Sequence, residues 1–449
     1  MKKKNLILFV CVILFATVKG QQKQDTVQIT LAQAIDIAMS ESPTIKIADK
    51  EIERVDYSKK SAWYALIPNV EGSARYSKYL APAKTSMFGT IMDSPTDFNT
   101  TLGLSLSLPL YAPALWHSIK LTTIEMQAAT ENANASRINL RNEVTKAYYN
   151  VLVAQDSYTV LKDGYDVAKK NYEVAKKGYE VGTLAAYDYI SAEVQVNNLL
   201  PTILQTENGI EQAKTYLKIL MGIDFATPIN VVGNLSYYKD QVVAMNKVED
   251  ISLENNSDLK QLDISRLQVQ RSLKLQQSQR LPTLAAFSQY GYAGTVAKSY
   301  SLKFGELPVT VPALNEWLSS GLVVGLTLNV PLTGILTNIP KEKKIKIQDE
   351  ELVYQREQTK NSLQMQALST MDRMNKTVKQ VDAASKSIEL AQKAYTISSK
   401  RYENGAGTMI ELQNASLAIT QSRLSYHQAI ADYLTAKSDL EKILGEKTN

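Results

Sequence analysis

The chain has 449 residues, and its 50 Lys and Arg against 45 Asp and Glu leave a net charge of +5. Four of those cations (Lys2, Lys3, Lys4, Lys19) fall in the first twenty residues, and the near-neutral remainder has no electrostatic footprint for nucleic acid. Two His, one Cys (Cys11), 19 Gly and 13 Pro exclude a zinc or iron–sulfur centre, imply no cofactor, and read as a mostly helical chain.

Residues 1–20 read as a secretory signal peptide: Lys2 to Lys4, an apolar run from Leu6 to Val18, then Val18-Lys19-Gly20. The run is too short to span a bilayer as a helix, and no other segment is apolar long enough to do so. Cys11 follows Leu8-Phe9-Val10, without the small residue that precedes a lipidated cysteine. A mature chain without cysteine suits an oxidising compartment. Helical spacing over 31–66 ends at Pro68. The period then falls to two. Val70, Gly72, Ala74 and Tyr76 alternate with Glu71, Ser73, Arg75 and Ser77, and Leu102, Leu104, Leu106, Leu108 and Leu110 alternate with Gly103, Ser105, Ser107 and Pro109. A long helix is expected at 114–178, a turn at Gly182, and a return helix at 186–221 closed by Gly222.

The same order then repeats. Residues 172–222 align without a gap on 395–445, and Gly103-Leu-Ser-Leu-Ser-Leu-Pro109-Leu matches Gly325-Leu-Thr-Leu-Asn-Val-Pro331-Leu. A helical pattern at 248–280 precedes strands at 283–293 and 322–332. A long helix at 340–401 and a return helix at 409–444 follow. Strands of 9 to 12 residues are expected to pair as hairpins across polar loops at 81–100 and 295–318, with lipid on the leucine face and a water-filled lumen on the other. The return helices carry heptads, with Tyr189, Val196, Ile203, Ile210 and Leu217 at a over Ala192, Leu199, Thr206, Ala213 and Leu220 at d. In the second copy Leu412, Ile419, Tyr426, Tyr433 and Leu440 sit over Ala415, Ser422, Ala429, Ala436 and Ile443. Pro201 should kink the first return helix. The expected organisation is a first repeat over 21–235 and a second over 236–449, with strand regions 68–111 and 282–333. Four strands per chain cannot close a barrel, whereas three chains supply twelve strands and twelve helical columns.

The residues resemble the TolC-like outer-membrane efflux proteins over essentially the whole mature chain. The most specific parts are the tips Gly178-Tyr-Glu-Val-Gly182-Thr-Leu-Ala-Ala-Tyr-Asp188 and Arg401-Tyr-Glu-Asn-Gly405-Ala-Gly-Thr-Met-Ile-Glu411. Both carry the family's aromatic, two variable residues, Gly, and an acid six residues on. The resemblance implies a mainly α fold with membrane β: a homotrimeric, 12-stranded outer-membrane β-barrel continued by a long periplasmic α-helical barrel. The implied role is a passive exit duct for a tripartite efflux pump or type I secretion system. It would be embedded in outer-membrane lipid and served by a periplasmic adaptor protein and an inner-membrane transporter. The expected gate residues are Tyr179, Gly182, Asp188, Tyr402, Gly405 and Glu411. In the family an Asp of the first tip bonds a Tyr and an Arg of the second. Asp188 and Tyr402 match, while the Arg position is Gly407 and the mouth's second acid position is Asn414. Asp188 and Glu411 also open helices, where a carboxylate is favourable. In a trimer they would carry up to −6, with no Arg at 407 to offset it.

No GxxxxGK, HExxH or GxSxG motif is present, so an enzyme is not expected. His117 reads as interfacial and His427 as a heptad position. The charges of the long helices, such as Lys341-Glu342-Lys343-Lys344, read as solvated faces with i,i+4 pairs. A secreted coiled-coil stalk or adhesin without a channel would explain the heptads but not the strands. The methionines are dispersed rather than ladder-like, and give no support to a metal cargo.

Overall fold

The computed structural model describes residues 27–445 apart from 82–83, 88–89, 94–95, 245–250 and 305–306; the expected signal segment and Cys11 lie outside the described residues. The first repeat contains β1 (Val27–Ile29), α1 (Leu31–Glu41), α2 (Pro43–Tyr64), β2 (Asn69–Lys78), β3 (Lys84–Met87), β4 (Thr90–Asp93), β5 (Thr96–Tyr111), α3 (Pro113–Glu180) and α4 (Ala186–Met221). Strand β6 (Ile229–Val231) and a 3-10 turn at Leu235–Gln241 lead to α5 (Ser257–Ser278), β7 (Thr283–Ala297), β8 (Tyr300–Phe304), β9 (Leu307–Val311), β10 (Leu314–Asn329), α6 (Gly334–Glu403) and α7 (Met409–Leu444).

The two opening helices depart from expectation. A capping box at Thr30 and Gln33 starts α1, but Ser42 turns extended (φ −58°, ψ 131°) because Pro43 follows it, so one expected helix is two. In the second copy the helix begins only at Ser257, where the Asn256 side chain accepts from the N–H groups of Asp258 and Leu259. Strand β2 has the expected length at 10 residues, but β5, β7 and β10 run to 16, 15 and 16, and each expected loop carries a small hairpin of its own, β3–β4 and β8–β9. The second leucine strand ends at Asn329, which leaves Val330 and Leu332 beyond it.

The chain divides into two compact units, described separately. One gathers the described parts of 1–43, 140–247 and 370–439. In it β1 pairs in parallel with β6, Ile29 opposite Val231, and both of those side chains are buried. The segment after α4 is therefore a docked element. Tyr148 donates to the Val232 carbonyl, and Asp156 accepts from the Leu235 N–H at 2.9 Å. His427 places Nδ1 3.4 Å from Asp156 Oδ2, with both side chains nearly buried, so its heptad position is a packed one. Helix α4 runs unbroken through Pro201. None of the expected a and d residues of α4 or α7 is exposed.

The other unit gathers the described parts of 44–139, 248–369 and 440–449. It holds an antiparallel sheet of order β10-β7-β5-β2, in which β5 and β7 join the two repeats. In register, Leu106 faces Val70 on one side and Ser288 on the other, and Leu104 faces Gly72 and Tyr290. Paired ions tie the helices beneath: Arg137 of α3 to Asp49 of α2, and Arg356 of α6 to Asp263 of α5 at 2.6 Å. Glu342 is buried and paired with Arg280, which follows α5. The reading of that lysine-rich stretch as a wholly solvated face is thus corrected at Glu342. A carboxylate on the packed side of the helix takes a cation from its neighbour.

Candidate functional site

The two tips are built alike. At the first, Gly182 has φ +78°, its N–H meets the Tyr179 carbonyl at 3.0 Å, and the Thr183 N–H meets that of Gly178 at 2.8 Å. At the second, Gly405 has φ +71°, with its N–H on Tyr402 at 3.0 Å and that of Ala406 on Arg401 at 2.8 Å. Both are the left-handed helix stop that glycine permits without a Cβ penalty, which is why the glycine recurs at this place in both repeats. Asp188 and Glu411 lie in the first turns of α4 and α7.

The tips share a small core. Ala175, Ala192, Met409 and Leu412 are buried together, with Tyr172, Leu184, Tyr395 and Tyr402 packed against them. Tyr179 stacks on Tyr189 (5.6 Å, 8° between planes), and Tyr189 also meets Tyr172 at 5.7 Å. Of the six expected gate residues, this brings Tyr402 into the core and leaves Tyr179 on its exposed rim. The Tyr402 hydroxyl is buried and has no hydrogen-bond partner among the described residues. Burial raises its pKa first, and the negative charge of nearby Asp188 raises it further.

A cation lies beside one of the two tip acids. Arg401 places Nη1 3.6 Å from Glu411 Oε2 and donates from Nη2 to the Ala406 carbonyl at 3.0 Å. The tight turn folds residue 401 back onto residue 411, so a cation is present although position 407 holds glycine. A Cβ at 407 would lie 3.1 Å from Arg401 Cβ and from the Tyr402 backbone nitrogen, so position 407 is crowded by the residue that supplies the charge. Sequence reading missed Arg401, although it begins the second tip motif. It also missed Ser191, which donates to Gln413 Oε1 at 3.3 Å between α4 and α7.

The sheet has two unlike faces. On one lie Leu102, Leu104, Leu106, Tyr290, Tyr292, Leu322, Val324, Leu326 and Leu328, all exposed. On the other lie Glu71, Ser105, Gln289 and Thr327, interrupted by Phe287, whose ring fills the space above Gly325. Among the described residues, strands β2 and β10 each have one neighbour and an open edge. Among the described residues no helix is long and apolar enough to cross a membrane.

A family model described as outer membrane efflux protein matches residues 34–223 and again 249–446. The chain belongs to the outer membrane efflux protein family. Its members are trimeric, non-enzymatic channels of the outer membrane that extend into the periplasm and work with adaptor and inner-membrane pump partners. The fold class is theirs: two tandem repeats, with a membrane barrel continued by a long helical barrel. The chain is similar in structure to the CmeC outer membrane channel of Campylobacter jejuni, at 18% identity and TM-score 0.70 over 92% of this chain and 85% of that one. It is similar to the outer membrane protein VceC of Vibrio cholerae (15%, 0.68, 92% and 96%). The MtrE outer membrane channel of Neisseria gonorrhoeae, solved in an open state, is a further match (17%, 0.68, 92% and 88%). No curated protein sequence matches significantly.

Proposed function

We propose that three copies of this chain form a passive exit duct for a tripartite efflux pump, docked through a periplasmic adaptor to an inner-membrane transporter. The observation that carries this reading is the sheet: four strands, one leucine-rich exposed face, and two open edges. An open, apolar edge-and-face combination is an aggregation hazard for a lone soluble chain and is resolved when three such sheets close in lipid. The leucine face meets lipid; Ser105, Ser107, Thr327 and Asn329 line the lumen. The domain reading is an exported chain cleaved near residue 20, with repeats at 21–235 and 236–449.

The two tips form the periplasmic mouth, with Asp188, Tyr402 and Glu411 as its main polar groups, Gly182 and Gly405 as its turns, and Tyr179 on its rim. A net negative mouth concentrates cations, and the exposed Arg401–Glu411 pair, held weakly, is its adjustable element. Export of small molecules is favoured over polypeptide secretion because the family description names efflux. The test restores the chain, with its cognate adaptor and pump, to a strain lacking outer-membrane exit ducts. Loss of dye accumulation supports the reading. Polypeptide secretion with unchanged dye accumulation assigns the chain to type I secretion instead.

A further inference from the structure

The charges beside the sheet are sorted by sign. Consider the ten residues nearest the sheet on each of the four helices that adjoin it: the ends of α2 and α5 and the starts of α3 and α6. They carry Lys59, Lys60, Lys120, Arg271, Lys274, Lys341 and Lys343, against only Asp56 and Glu342. Both acids are already paired, Asp56 with Lys60 at 2.7 Å and Glu342 with Arg280. Six cations therefore stand without an ion pair among the described residues, at least one from every helix. Lys120, Arg271, Lys274, Lys341 and Lys343 are exposed.

Their heights agree. At about 1.5 Å per residue, Lys120 lies ~10 Å along α3 from its first residue and Lys341 ~10 Å along α6. By the same measure Lys274 and Arg271 lie ~6 and ~10 Å back from the end of α5. Between this level and the strands sit exposed aromatics, Trp63, Tyr64 and Trp116, with the two indoles edge to face at 6.2 Å. The order from the sheet outward is thus apolar strand, aromatic belt, cation collar. The side chain of His117 lies among the cations; burial first, and then Lys120, Arg271 and Lys274, hold its pKa below the ordinary value.

We infer that this collar binds the phosphates of anionic glycerophospholipids in the periplasmic leaflet of the outer membrane. The inference rests on the proposed insertion of the sheet in that membrane. Aromatic side chains settle at the interface between apolar core and water. Lysine and arginine beyond them reach the headgroup phosphates while their stems lie on apolar surface. The polar headgroup zone adds only about 5–8 Å to each side of the hydrocarbon, and the collar stands within reach of it. Six unpaired cations per chain are more than a neutral interface needs, and they select a negatively charged headgroup over a zwitterionic one.

The test uses the full assembled protein in nanodiscs of phosphatidylethanolamine with a minor fraction of phosphatidylglycerol or cardiolipin. Co-purified lipid is counted by native mass spectrometry. Wild type should retain anionic over zwitterionic lipid by about tenfold. A variant with Lys120, Arg271, Lys274 and Lys341 changed to Gln should lose most of that preference, and the Arg/Lys-exchanged variant should keep it. Changing Lys169, Lys170, Lys176 and Lys379 to Gln, away from the collar, should leave it intact. Equal retention of both lipid types by wild type overturns the inference, whether or not the Gln variant assembles. So does a Gln variant that keeps the preference. Failure of wild type to resist carbonate extraction from vesicles would instead overturn the membrane reading beneath it.

Discussion

Replacing Leu106 by arginine probes the sheet where its two faces differ most. Leu106 lies five residues before the end of β5, which is ~16 Å along the strand and ~12 Å along the membrane normal at a tilt of about 40°. That is near mid-height of an apolar band about 25 Å tall. Its neighbours on the same face are Val70 and Ser288, which offer no charge to offset a guanidinium. Leu106→Arg should therefore cost about 2–4 kcal/mol. Ser105→Arg, one residue away on the other face, sits between Glu71 and Gln289, and should be tolerated within about 0.5 kcal/mol because a cross-strand carboxylate is present. Leu110→Arg lies at the strand end, at the bulge between Pro109 and Tyr111, and should cost about 0–1 kcal/mol. Guanidinium unfolding in vesicles, followed by the mobility of folded protein in unheated gels, measures all three. Equal costs at 105 and 106, or a larger one at 105, would refute the assignment of the faces.

Three further outcomes are expected. Asp188→Asn with Glu411→Gln should weaken cation selectivity while Arg401→Gln strengthens it, read as opposite shifts of reversal potential in a salt gradient; no shift in either leaves the acids as helix-start residues only. Gly405→Ala places a side chain at φ +71° and should cost about 1–2 kcal/mol, seen as faster proteolytic nicking at 404–408 than in wild type. Burial holds the His427 imidazole below its usual pKa, with Asp156 opposing the shift and Arg423 adding to it. A lowered folded-state pKa gives stability that is present above the unfolded value of about 6.5 and lost as pH falls. Asp156 is shifted upward by burial, and its opposite contribution is lost as pH rises from the carboxylate range. Between pH 7.5 and 5.5 the melting temperature should drop, and His427→Gln should flatten that slope; an unchanged slope assigns it to other groups.

What the sequence made legible was whatever repeats at a fixed period. The bounds of α4 and α7 and the glycine at each tip follow from patterns that one residue type in one environment must obey. Contacts set by a turn or by docking were not legible. The break at Ser42 follows from Pro43, a signal that the wider helical pattern hid. The pairing of β1 with β6 joins residues about 200 apart through three-residue strands, too short to show a period. Arg401 reaches Glu411 only because the turn at Gly405 reverses the chain, and Glu342 turns inward toward Arg280 although lysines flank it. In both cases the partner lies across a turn or on another helix, where spacing along one helix carries no information.

The central claim is that the open edges β2 and β10 close against those of neighbouring copies. The only cysteine is Cys11, within the expected signal, so single cysteines can be introduced without background. Cysteine at Ser73 of β2, combined in turn with cysteine at Val323, Gly325 or Thr327 of β10, should give under oxidation in the membrane a ladder ending at three chains for at least one pair. Neither single cysteine should do so alone. Monomers throughout, or a ladder extending past three, would contradict closure of the barrel by a trimer.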